Sequence, residues 1–335
     1  MDNLFKIRTL TTAVNMMQDP SMLMYQRYFA GKARGEVSDR LAFDIITGSQ
    51  RILENMSIYA EAKVTAKTGR STVTMTAPRL ATKRHIAAAE LNAMRGFGQQ
   101  ASVEMLSGRV AREQKDMMNE HFRTLEFWSA NAMKGRIYDS DCSTLLVDYL
   151  VDSGHRVTLT GTDLFTDSSS DPIEMLRAHK RKIEQDSGGA ITSFDFIAGY
   201  EVIDALLKNT RVLALLQYTG NKAIRIATVG DIETLVGCKI IEYSGSYLDA
   251  NGARKYYIDA DQYVLVGNSP DLTDLPYAPI IDFEAPGGIG NPGSGQMWFS
   301  KSWDEKDPSG KWIKVEGRPL PVLQRPGNVM IVTAV

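Results

Sequence analysis

Cysteine is almost missing from this chain: Cys142 and Cys238 are the only two in 335 residues, and they lie far apart. A small disulfide scaffold needs dense, paired cysteines, so that class is excluded, and both thiols are expected to be reduced and partly buried. Histidine is equally thin. His85, His121, His155 and His179 are scattered, none in an HExxH, CxxH or two-cysteine ligand spacing, so each is expected to be structural or solvated. Neither sign of charge is in excess, with 38 Lys and Arg against 40 Asp and Glu and a formal charge of −2. That balance supplies no global positive field, which disfavours a dedicated nucleic-acid binder. No apolar run reaches the roughly 18 residues of a membrane span. The start, MDNLFKIRTLTT, has neither an apolar leader core nor a small-residue cleavage box, so a product made in a cytoplasm is expected.

Catalytic constellations are scarce too. Ser244-Gly245-Ser246 lacks the G-x-S-x-G elbow that exposes a nucleophilic serine. The run from Gly287 to Gly295 has no Lys-Ser/Thr ending, and Pro292 interrupts the consecutive amides a phosphate cradle requires, so a loop or subunit contact is expected there. Asp259-Ala260-Asp261 and Asp304-Glu305-Lys306-Asp307 lack the remaining ligands of a calcium loop and read as solvated acidic turns. Lys180-Arg181-Lys182 reads as a solvated helix face rather than a DNA contact. The expectation is therefore no catalytic residue, no metal and no cofactor.

What is present is an organisation along the chain, sufficient in length for one large domain or two linked ones. Residues 1–36 mix Met22, Leu23, Tyr25, Tyr28 and Phe29 with polar residues, and Pro20 interrupts any helix begun upstream. Such an apolar terminus needs cover, either from its own domain or from a neighbouring chain. From residue 37 to 86 the pattern turns to period two, in Ala62–Lys67 and again in Ser71–Ala77, with Thr68-Gly69-Arg70 as the expected turn and Pro78 as the end. The implied hairpin carries few large apolar side chains and is too small to stand alone.

The strongest helical stripe, Val103, Leu106, Val110, Met117, Leu125, Trp128 and Ala132, with Gln114 and His121 filling two of its positions, predicts a spine helix over 102–134. Beyond it, Leu145–Val151 and Val157–Thr160 predict a hairpin, and Asp171 with Glu174 predicts a capped helix start at Pro172. Tyr200–Tyr218 reads as helix interrupted around Asn209, followed by short strands at 223–229, 238–243, 255–258 and 262–266. Prolines and glycines between Pro270 and Gly295 argue against regular elements through most of the last fifty-odd residues, although Trp298, Trp303 and Trp312 require packing there. Asn328–Val335 reads as a terminal strand that needs a waiting sheet. Together the apolar arm, polar hairpin, long helix and tryptophan-bearing tail imply burial between chains as well as within one.

Several segments carry a family resemblance. Lys255-Tyr256-Tyr257-Ile258 leading to Asp261 and then Val264–Asn268, Lys301-Ser302-Trp303, the run from Arg318 to Pro326, and the early Leu10–Ala13 and Tyr28-Phe29 resemble the lambda-like tailed-bacteriophage major capsid protein E family. The resemblance implies an α+β, HK97-type capsid fold. Its parts would be an N-terminal arm (1–36), an extended loop region (37–86), a peripheral domain with the spine helix (87–189), an axial domain (190–280), and an irregular return segment (281–335) ending in a strand of the peripheral domain. It further implies pentamers and hexamers of an icosahedral head, built in the host cytoplasm with scaffold, portal and potentially decoration proteins, and enclosing double-stranded DNA without sequence-specific contact. On this basis Met22–Phe29 is expected to pack outside its own core, and the hairpin residues Lys63, Val64, Lys67, Arg70, Val73 and Met75 to lie over a neighbour. Two rivals remain at this point: an encapsulin-like compartment shell, and a hydrolase or ligand-binding domain with its site at Gly287–Gly295.

Overall fold

The apolar stripe from Val110 to Ala132 forms one continuous helix, Val103–Met133, in the computed structural model, which describes residues 6–17, 22–47, 69–87, 103–187, 191–219, 229–249, 252–285, 295–307 and 309–335. At 1.5 Å per residue this spine is about 46 Å long. The chain divides into two units, one made of Met1–Ala42, Thr74–Trp128 and Asp274–Val322, the other of Phe43–Val73, Ser129–Thr273 and Leu323–Val335.

In the first unit the spine lies on a three-stranded antiparallel sheet ordered Trp298–Glu305, Gly310–Gly317, Leu80–Ala87. Because side chains alternate along a strand, the register assigns the two faces. Ser300, Val315 and Thr82 lie opposite one another on the helix side, where Gln114 Nε2 donates to Ser300 Oγ (3.1 Å) and His121 Nε2 meets Thr82 Oγ1 (3.0 Å). The other face carries a row of Trp303, Trp312 and His85. These two eight-residue strands, Trp298–Glu305 and Gly310–Gly317, correct the expectation of an irregular tail; the dense run of prolines and glycines from Pro270 ends at Gly295, and Pro308 falls between the two strands, where it interrupts neither. The tryptophans divide: Trp298 is buried, while Trp303 stacks on Trp312 and stays 39 % exposed. The amphipathic helix Ile7–Asn15 buries Leu10 and Val14 and is pinned along the first strand, Thr11 Oγ1 donating to Ser300 O (3.0 Å) and Asn15 Nδ2 to Trp298 O (2.8 Å).

The second unit is built on a five-stranded sheet ordered Arg156–Thr158, Val329–Thr333, Gln262–Asn268, Ser193–Ala198, Lys239–Glu242. Its centre, Tyr263 to Val266, is fully buried, and Phe165, Ile183, Phe196, Leu206, Met330 and Val332 belong to the same core. The terminal strand pairs antiparallel with Gln262–Asn268 and parallel with Arg156–Thr158, so it enters the waiting sheet that such a strand needs. Its run Val-Met-Ile-Val is buried throughout, which requires a position inside a sheet covered on both faces.

Local signals in this unit held where their chemistry was short-ranged. Asp171 Oδ1 accepts from Glu174 N (3.1 Å) and starts the helix Pro172–Asp186. Asn209 separates Tyr200–Lys208 from Thr210–Thr219, its Oδ1 accepting from Arg211 N (3.0 Å) and Val212 N (3.3 Å). Other expectations are corrected. The hairpin joins Arg136–Tyr138 to Leu145–Asp148, and Arg156–Thr158 instead runs parallel to the terminal strand, because the Asp152-capped turn at Ser153–His155 redirects the chain. Val229 opens a helix, Val229–Val236, where the end of a strand was expected; residues 221–228 lie outside the described residues.

The extended ribbon pairs Gly69–Thr76 with Arg40–Thr47. Thr72 bonds Asp44 and Ala77 N–H donates to Asp39 O, so the two strands run in opposite directions. Gly69 and Arg70 are therefore strand residues, not the expected turn, and 62–67 lies outside the described residues.

Candidate assembly interface

The residues expected to meet neighbours separate into two groups. Met22, Tyr25, Tyr28 and Phe29 are buried by their own chain, with Phe29 at 0 % exposure, and Leu23 is half-buried. This corrects the expectation that Met22–Phe29 packs outside its own core. Glu126, 1 % exposed on the spine, accepts the N–H of Met24 at Oε1 and of Tyr25 at Oε2, both at 2.8 Å. Those donors at the start of the π-helical turn Tyr25–Phe29 are satisfied inside the unit, so its rings can sink into the core without stranding backbone polar groups.

The ribbon residues behave differently. Val73 and Met75 are half-buried and alternate with exposed Thr72, Thr74 and Thr76, while on the opposing strand Leu41, Phe43 and Ile45 are buried. Arg70 lies in the strand Gly69–Thr76, and Lys63, Val64 and Lys67 lie outside the described residues.

Where the ribbon leaves the first unit, a charged cluster gathers that the sequence reading did not single out. Arg318, 3 % exposed, ion-pairs with Asp39, donates through Nη2 to Ala77 O (2.8 Å) and through Nη1 to Pro279 O (3.1 Å). Next to it Arg79 grips the fully buried Glu316 with both arms of its guanidinium, Nε to Oε1 at 2.7 Å and Nη2 to Oε2 at 3.0 Å, and Lys314 pairs with the same carboxylate. Burial pushes the Glu316 carboxyl up, but the hydrogen bonds from Arg79 and Lys314 outweigh it and hold its pKa below the ordinary value. Arg79 is raised correspondingly by its bond to Glu316. A signal was available: Lys314, Glu316 and Arg318 stand at alternate positions among the apolar residues of Ile313 to Val322, and charges that burial of such a stretch takes from water require partners.

Several of the residues weighed for chemistry have structural partners. His155 Nδ1 meets Val329 O and Nε2 meets Asp186, both at 2.8 Å. His179 Nδ1 meets Tyr263 OH (2.8 Å), His121 meets Thr82, and the His85 ring lies against Trp312. Asp259 pairs with Lys134, Asp304 with Lys311, and Glu305 accepts from Trp312 Nε1. Lys180 is not free for DNA, since its Nζ donates to Val236 O (2.9 Å) and Gly237 O (3.0 Å) at a helix C-terminus, where a cation is favoured. Among the described residues no group of His, Cys, Asp and Glu is arranged to hold a metal. An open cavity of about 310 Å³ in the second unit is lined by Asp163, Ser169, Asp171, Glu174 and Arg211, with no histidine or cysteine among its lining residues. The glycine-rich run falls almost wholly outside the described residues.

The family of the chain follows from its sequence as a whole: the family described as phage major capsid protein E matches residues 6–334. The chain belongs to that family. No curated protein matches it in sequence. Among solved structures, one described as a capsid protein of a prophage from E. coli CFT073 is similar with a TM-score of 0.65 and 16 % identity, covering 98 % of this chain and 99 % of that one. A phage-related protein from Bordetella bronchiseptica RB50 follows with a TM-score of 0.58, 13 % identity, and coverage of 98 % and 96 %. The capsid of cyanophage P-SCSP1u gives a TM-score of 0.51 at 12 % identity, covering 91 % and 86 %. The fold is thus the HK97-type capsid fold, and the protein is a structural capsid subunit of the phage major capsid protein E family. That membership places the chain with capsid proteins rather than compartment shells.

Proposed function

We propose that this chain assembles into pentamers and hexamers of an icosahedral phage head that encloses double-stranded DNA, and that it performs no enzymatic step of its own. The observation that carries this reading is the family match spanning residues 6–334. Many identical contacts, each modest, close a shell that no single contact would hold. The partners are further copies of the chain, a scaffold protein during assembly in the host cytoplasm, a portal for DNA entry, and optionally a decoration protein. The ribbon segment with Lys63, Val64, Lys67, Arg70, Val73 and Met75 lies against a neighbouring copy, while the turn at 22–29 serves its own subunit. With net charge −2, the chain contacts DNA without sequence preference. Electron microscopy of the protein expressed with and without its scaffold tests the proposal. Closed, uniform shells in the presence of scaffold support it; dispersed monomers at every concentration contradict it.

A further inference from the structure

We propose that Arg318 and the Arg79–Glu316 pair are positioning residues for assembly, clamping both strand ends at the root of the ribbon so that it is presented to the neighbouring copy in one orientation. The inference rests on the reading that the ribbon meets a neighbour.

A two-stranded ribbon has little order of its own, and beyond the face of Leu41, Phe43 and Ile45 that its own chain buries, its direction depends on how its root is held. Here both strand ends meet side chains from one short stretch, 316–318. The Arg318 guanidinium pairs with Asp39, one residue before the strand Arg40–Thr47, and donates to the carbonyl of Ala77, one residue after Gly69–Thr76. Ala77 N–H in turn donates to Asp39 O (3.1 Å), closing the root as a ring of bonds. Its third tie, to Pro279 O, anchors the guanidinium to a segment outside the ribbon.

Arg79, just beyond the same strand end, holds the second point through its two-pronged bond to Glu316. A planar guanidinium fixes direction as well as distance, so two such groups constrain both the swing and the twist of the root. Burial makes the constraint firm: Glu316 is 0 % and Arg318 3 % exposed, so any rotation that parted them from their partners would leave charges out of reach of water. A pair on the open surface would yield easily.

The test uses the full-length chain with Arg79→Gln and Arg318→Met. Hydrogen exchange of the unassembled protein and shell yield by electron microscopy are both read. Faster exchange at 40–47 and 69–76, unchanged exchange in the spine helix, and shell yield lower by about tenfold or more at equal concentration support the clamp. Arg79→Lys, which keeps the charge without the fork, restores part of the yield. If Arg318→Met fails to fold, Arg79→Gln decides, because that side chain is 53 % exposed and Lys314 still pairs with Glu316 in its absence. Normal shells from the folded variants, or ribbon exchange indistinguishable from the native chain, overturn the inference. A native chain that forms no shells contradicts the capsid reading instead, and ribbon exchange alone then decides the clamp.

Discussion

Two backbone donors of the arm end on one side chain, Glu126, which gives that residue a measurable weight. In Glu126→Gln one acceptor oxygen becomes an amide NH₂ facing an N–H, so a buried donor loses its partner at a cost of about 1–3 kcal/mol. The expected result is a lower Tm and faster proteolytic cleavage around residues 16–30, with the second unit unaffected. His121 supplies a pH dependence. Burial pushes its pKa from 6.5 down to about 4, so the folded protein keeps the ring neutral while the unfolded chain binds a proton. Stability from this residue is therefore complete above the unfolded value and is lost as pH falls from about 6.5 toward 4, by about 3 kcal/mol in all. Urea unfolding of the first unit at pH 7, 5.5 and 4.5 (about the window set by that linkage) should show the decline, and His121→Gln should flatten it.

At the scale of elements, Asn209 joins two helices by ending one and capping the next, and its Nδ2 also donates to Phe165 O (3.2 Å) and Asp167 O (3.3 Å). Asn209→Ala removes the cap and leaves those carbonyls without this donor, a loss of about 2 kcal/mol that chemical denaturation of the second unit should register. This break was legible in the sequence, as were the spine helix and the Asp171 start, because caps and helical stripes depend on residues a few positions apart. Sheet partners were not. A period of two states that Ser71–Ala77 is a strand, but carries no information on which strand it meets, and the partner, Arg40–Thr47, comes from some thirty residues upstream. The terminal strand was legible as a strand, but its neighbour Gln262–Asn268, distant in sequence, was not. The cover for Met22–Phe29 was hidden for a related reason: it depends on Glu126, about a hundred residues away.

At the scale of the whole molecule, the placement of the arm turn changes what its removal should do. The arm turn is part of its own subunit's core, so deleting residues 1–30 removes buried Tyr25, Tyr28 and Phe29 and should cost the fold of the first unit before it costs assembly. Circular dichroism of the truncated chain should show lost structure, and a fully folded truncation that merely fails to assemble would contradict this placement. The ribbon keeps Val73 and Met75 half-buried and a root held by buried charges, and under the proposed reading these two side chains meet a second copy. A subunit-resolved electron-microscopy map of shells formed by the native chain tests the central claim most directly. Pentamers and hexamers with the 40–76 ribbon laid across an adjacent subunit are predicted; shells in which every ribbon folds back on its own subunit, or a protein that never leaves the monomeric state, would contradict it.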